Sequence, residues 1–119
     1  MKTRLRKDRE FRLVYNKGKS FANQNLVVYL LKNDKEHTRL GVSVSKKVGK
    51  SVVRSRVSRL IKENFRLLVK EQKILSGYDL VVIARSNSNN ADFYEISKSL
   101  KHLLKKHGVY VNVEEGDDN

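Results

Sequence analysis

The sequence predicts an α+β domain: a two-layer sandwich with a central mixed four-stranded sheet covered by helices, in the order α-β-β-β-α-β-α. Three observations carry this expectation. NLVVYLLK (25–32) and YDLVVIAR (78–85) are short runs of β-branched and aromatic residues with strand composition. Between them, from about Ser51 to Gln72, the apolar period lengthens to the 3.6 of a helix. The 119 residues contain no proline, repeat or low-complexity tract that would mark a linker, so one domain with a single modest core is expected.

The elements follow in order. KDREFRLVYNKG (7–18) reads as a short helix, with Asp8 as N-cap, Phe11, Val14 and Tyr15 at i, i+3, i+4, and Gly18 as its stop. KSF (19–21) is a candidate short strand before NLVVYLLK. NDKEH (33–37) is a turn, and TRLGVSVS (38–45) alternates with Leu40, Val42 and Val44 on one face, so these two strands are expected to pair as a hairpin. After the long helix, YDLVVIAR is bounded by SG and SNSNN. ADFYEISKSLKHLLKKHG (91–108) reads as a helix with Asp92 as N-cap, Glu95 three residues later and Gly108 just past the end. VYVNV (109–113) is either a last strand or an extended tail.

Charge is the loudest global feature. Lysine and arginine number 26 against 13 acids, a net +13. Four of the acids, Glu114, Glu115, Asp117 and Asp118, lie in an acidic tail (114–119) expected to be disordered, and residues 1–113 alone carry +17. Such an excess repels itself until a polyanion relieves it. Nucleic acid is the fitting partner, because each neutralised phosphate releases counterions. A membrane partner is not expected. The apolar runs fall far short of the roughly 20 residues a span needs, and the amphipathic helices need their apolar faces for a core. The charged first residues do not form a secretory signal, so a cytoplasmic protein is expected.

The segment KKVGKSVVRSRVSRLIKENFR (46–66) shows where the charge acts. At about 100° per residue, Val53, Val57, Leu60, Ile61, Phe65 and Leu68 gather on one side of the helix. Ser55, Arg59, Lys62 and Arg66 run along the other, with Arg54 and Arg56 on its flanks. From Lys46 to Lys73 there are 10 basic residues and 2 acids. A solvated helix face ordinarily mixes signs for i, i+4 support, so this imbalance points to a phosphate-binding ridge. Arginine suits bidentate phosphate contact and base stacking, and the loop carrying Lys46, Lys47 and Lys50 leads into a helix N-terminus that also favours an anion. Phe11, Tyr15, Phe21 and Tyr29 are candidate stacking aromatics beside the basic helix.

Other chemistries find little support. GKS (49–51) resembles the end of a P-loop, but the earlier glycine that motif needs is Val44. There is no cysteine, and His102 and His107 are five apart, off a common helix face, so no resident metal or other cofactor is expected. The acids outside the tail are scattered over different elements, with no evident two-carboxylate nuclease site. No catalytic residue and no small-molecule substrate are assigned.

GVSVSKKVGKSVVRSRVSRLIKENFR resembles the signature of the bacterial ribonuclease P protein subunit, and DREFRLVYNKGKSFANQNLVVY, YDLVVIAR and SLKHLL extend the likeness over about residues 5–107. The resemblance implies a left-handed βαβ crossover around the long helix. It also implies a protein that partners a catalytic RNA, which with Mg2+ performs the chemistry, to remove the 5′ leader of precursor tRNA. Lys46, Lys47, Lys50, Arg54, Ser55, Arg56, Arg59, Lys62 and Arg66 would face the catalytic RNA. Phe11, Tyr15, Phe21, Ala22, Asn23 and Tyr29 would form the leader cleft. Ser55 stands where the family has asparagine, Ser58 where it has lysine, and Lys62 where arginine is frequent; each softens the ridge without removing it. The alternatives are a general or ribosome-associated RNA-binding protein without processing activity and, last, a free-standing nuclease.

Overall fold

The computed structural model describes residues 4–111; the acidic tail and the end of VYVNV lie outside them. The elements are α1 (Asp8–Lys17), β1 (Lys19–Ala22), β2 (Leu26–Lys32), β3 (Arg39–Val44), α2 (Ser51–Lys70), β4 (Tyr78–Ala84), a 3-10 turn (Ser86–Asn90) and α3 (Phe93–Lys106). The order matches the one expected from composition and period.

The expected β2–β3 hairpin does not form. The sheet order is β1-β2-β4-β3, with β4 antiparallel to β2 and parallel to β3. The reason lies in β4, which is buried on both faces along nearly its whole length. A strand with such a continuous apolar run belongs in the centre of a sheet. NDKEHT then bridges the width of the inserted strand, about 10 Å at the usual spacing, instead of closing a tight turn.

Alternation along β3 assigns the two faces. Leu40, Val42 and Val44 join Leu26, Val28, Leu80 and Val82 in the main core beneath α2 and α3. On the opposite face Tyr29, Val81 and Ile83 pack against Leu5, Phe11, Val14 and Tyr15 of the first segment. That segment also lengthens the sheet edge, because Leu5 N–H donates to Leu40 O at 2.9 Å. β3 therefore carries α2 on one side and α1 on the other.

The helix ends explain themselves locally, with one correction. Lys7, not Asp8, is the N-cap of α1. Glu10 reaches back so that its Oε1 accepts from the N–H groups of Arg6 (2.9 Å) and Lys7 (3.0 Å), which leaves Asp8 as an ordinary first-turn acid. Gly18 stops the helix by close approach: a Cβ there would lie 2.5 Å from Val14 O. At α3, Asp92 accepts from Glu95 N–H at 2.9 Å and Glu95 from Asp92 N–H at 3.0 Å, the expected reciprocal cap. Tyr110 pairs with Ile74 in an isolated bridge, so the described part of VYVNV adds no strand to the sheet. No helix among the described residues is long and apolar enough to cross a membrane.

Candidate nucleic-acid interface

α2 is seated by Val57, Ile61, Phe65 and Leu68, all buried, with Val53 and Leu60 partly so. Those side chains turn the opposite surface outward: Ser55, Arg59 and Arg66 are exposed and Lys62 half-buried. Val44, Arg54, Ser55, Ser58, Arg59 and Lys62 line one open groove beside this ridge. Arg59, Lys62 and Arg66 line a second with Arg4, Phe65 and the acid Glu63. Lys46, Lys47 and Lys50 are exposed in the loop that enters α2. The first turn of α2 contains no acid and its N-cap makes no side-chain hydrogen bond, so the cationic character continues to the helix end.

The basic side chains differ in how they are held. Among the described residues Arg59 and Lys62 have no carboxylate partner, whereas Arg66 meets Glu63 one turn away. That pair is exposed on both sides, and exposed pairs of this kind contribute only about 0–1 kcal/mol, so a phosphate can displace Glu63 at small cost. Arg54 donates through Nε to Gly49 O at 3.2 Å, fastening the lysine loop to the helix. Arg56 turns to the far flank and donates to Ala91 O at 2.8 Å and to Asn89 O. The fork of Arg56 is thus spent on two carbonyls of the β4–α3 connection, which the sequence pattern did not reveal.

Across β3, Phe11, Tyr15 and Tyr29 form the aromatic group. Tyr15 stands edge-on to Tyr29 with centroids 5.1 Å apart, and Phe11 lies 6.5 Å from Tyr15. All three residues are half-buried. Burial pushes the pKa of the Tyr15 hydroxyl up, with Ser43 opposing the shift. Phe11 rests on the bare backbone of Gly41. Ala22 pairs with Val27 on the strand next to this face.

Two expected cleft residues lie elsewhere. Phe21 is paired with Val28, a main-core residue, so alternation sends its ring to the α3 side of the sheet. There it meets His107 edge-on at 4.8 Å, while the ring N–H of His107 donates to Val28 O at 2.8 Å. Asn23 is committed to the β1–β2 turn: its Oδ1 accepts from Leu26 N–H at 3.0 Å and its Nδ2 donates to Ser99 O at 3.0 Å.

A positioning cluster absent from the sequence expectations holds α1 against the sheet. Arg39 donates to Asp79 through Nε (2.9 Å) and Nη2 (2.7 Å), and through Nη1 to Glu10 at 3.0 Å. Asn33 Nδ2 adds a fourth bond, to Asp79 Oδ1, at 2.8 Å. The backbone N–H groups of Lys7 and Arg6, with Arg39 nearby, hold the Glu10 carboxyl down at a pKa of about 2. The available signal was a charge at each strand start, Arg39 and Asp79, ahead of runs otherwise apolar. These carboxylates converge on one arginine, and no group of three or more His, Asp or Glu among the described residues could hold a metal ion.

A family model described as Ribonuclease P matches residues 1–108. The "Ribonuclease P protein component" of Clostridium kluyveri is 58% identical over 107 residues, an alignment covering 90% of this chain and 96% of that one. The solved structure of the Staphylococcus aureus RNase P protein matches with a TM-score of 0.83 at 40% identity, covering 92% of this chain and 99% of that one. The RNase P protein from Thermotoga maritima matches with a TM-score of 0.77 at 36% identity, covering 87% and 96%.

Proposed function

The chain belongs to the ribonuclease P protein family, and from that premise we propose how its surfaces divide the work of an endoribonuclease that matures the 5′ end of tRNA. It is the RNA-binding protein subunit of that enzyme, and catalysis lies with the RNA. In our reading residues 1–113 act as one RNA-binding domain in the cytoplasm, with Mg2+ serving the RNA subunit.

The α2 ridge and the lysine loop before it grip the catalytic RNA. The single observation that carries this is Arg59 and Lys62, aligned beside open grooves and in no ion pair among the described residues, the one carboxylate lining those grooves, Glu63, being paired with Arg66. Arg66 joins them when phosphate replaces Glu63. Arg54 and Arg56 support the ridge by fixing its entrance and its flank, and Ser55 and Ser58 add hydroxyl donors along the groove. On the other side of β3, Phe11, Tyr15 and Tyr29 offer aromatic surface to the unpaired bases of the 5′ leader of precursor tRNA, with Ala22 at the rim. Phe21 and Asn23 serve this region indirectly, by setting the position of β1 and its turn.

Because β3 separates the two surfaces, a substrate whose leader lies in the cleft has its body brought beside the RNA held by α2. That juxtaposition is how a protein without catalytic groups promotes cleavage: it supplies binding and orientation. The test is to add the purified protein to a bacterial ribonuclease P RNA at low magnesium and measure leader removal. Stimulated cleavage is expected. Binding of the RNA without any stimulation would overturn the reading, as would cleavage by the protein in the absence of RNA.

A further inference from the structure

α3 carries a second cationic stripe that the division above leaves unused. Its buried side chains, Ile96, Ser99, Leu100, Leu103 and Leu104, occupy the side facing the sheet. At about 100° per residue, Tyr94, Lys98, Lys101 and Lys105 fall within an arc of about 60° on the opposite side. They follow the same i, i+4, i+7, i+11 rhythm as Ser55, Arg59, Lys62 and Arg66 on α2. Lys98 and Lys105 are exposed, and Lys101 is half-buried. None of the three has a carboxylate partner among the described residues. Glu95, the acid nearest in sequence, is turned back into the cap with Asp92.

The head of the stripe is unusual. Tyr94 is 79% exposed, although a tyrosine ring is the kind of side chain that is ordinarily covered. Phe93 steadies it edge-on, with centroids 5.6 Å apart, so one face stays open. At the other end Lys105 Nζ stands 5.2 Å over the Tyr110 ring. Lysines without carboxylate partners in line with an exposed aromatic ring are the chemistry of sequence-tolerant RNA contact: point charges for phosphates and a platform for an unstacked base.

This stripe is not an extension of the α2 ridge. The grooves beside Arg59 and Lys62 are shared with Val44 and Arg4, on the β3 side of α2. α3 packs on the other flank, where Arg56 reaches Ala91 O and Asn64 Nδ2 reaches Phe93 O. We propose that Tyr94, Lys98, Lys101 and Lys105 form a second RNA-binding surface, with an RNA backbone lying along the lysines and an unpaired base stacked on Tyr94. The protein then bridges two RNA segments instead of capping one.

The absence of cysteine makes the test direct. Single-cysteine variants Lys98→Cys on α3 and Ser55→Cys on α2 each carry a tethered iron chelate that cuts nearby RNA, in the holoenzyme assembled with precursor tRNA. Cutting from position 98 at nucleotides not cut from position 55 is expected, and the strand cut tells whether the second segment belongs to the catalytic RNA or to the substrate. Cutting from 55 with none from 98 overturns this inference and leaves the α2 reading intact; cutting from neither overturns both. Identical cuts from the two positions mean one continuous surface and overturn it as well. Independently, the combined Lys98→Ala, Lys101→Ala, Lys105→Ala variant should lower the slope of log affinity against log salt by about 2 units, and Tyr94→Ala should weaken RNA binding about tenfold. An unchanged slope in a variant that melts like the parent overturns the proposal.

Discussion

The Phe11 ring lies so close to the backbone of Gly41 that a Cβ at position 41 would stand 2.7 Å from both Cε2 and Cζ. The missing side chain is what lets α1 seat its first aromatic against β3. Gly41→Ala is therefore expected to push Phe11 out and destabilise the fold by about 1–3 kcal/mol, the usual range for overpacking. The check is thermal melting together with binding of precursor and mature tRNA. Lost preference for the precursor is the signature of a disturbed cleft; a variant with parental melting and preference would remove this contact from the account.

Phe11→Ala tests the cleft without crowding it. Removing one stacking ring is expected to cost about 1–3 kcal/mol of affinity for precursor tRNA and to leave mature tRNA almost untouched. Equal losses for both substrates would place the leader elsewhere.

Arg59 and Arg56 separate phosphate contact from support. Arg59→Ala should reduce the salt slope of binding to the catalytic RNA by about one unit. Arg56→Ala should leave that slope unchanged and lower the melting temperature, because its fork is bonded to Ala91 O and Asn89 O. The two variants, titrated across potassium chloride concentrations, should diverge; a slope change at Arg56 would make it an RNA contact.

Glu10 gives a pH signature. Its pKa falls from 4.5 to about 2, chiefly because its carboxylate accepts from the backbone of Lys7 and then of Arg6, with Arg39 adding to the effect against opposing desolvation. A group depressed in the folded state contributes stability that is fully present above its unfolded pKa and is lost as pH falls through the folded one. The contribution therefore disappears between about pH 4.5 and 2. Melting curves over that window should fall more steeply for the parent than for Glu10→Gln; parallel curves would discount the cap.

Gln72 ends α2 with φ of 57°, and Lys73 N–H closes the turn on Leu68 O at 2.8 Å. A side chain in this left-handed conformation is strained where glycine is not. Gln72→Gly should raise stability by up to about 1 kcal/mol, the left-handed strain relieved less the extra unfolded-state entropy of glycine, read from denaturant unfolding, and a loss would show that the glutamine side chain compensates the strain.

The number and order of elements, the cap of α3 and the outward ridge of α2 were all legible in the residues, because each follows from spacing within one segment. Period 3.6 puts Val57, Ile61, Phe65 and Leu68 on one side and Arg59 and Lys62 on the other whatever the rest of the chain does. Pairing across the molecule was not legible. β4 displaced the expected β2–β3 hairpin because strands compete for the sheet centre, and the winner is the one buried on both faces. Phe21 went to the α3 side because alternation settles a face only once register is set. Arg56, Arg39 and Glu10 found partners between 29 and 40 positions away. Spacing along a chain tells which side chains share a face; which neighbour covers that face is settled only when remote segments meet and satisfy one another's polar groups.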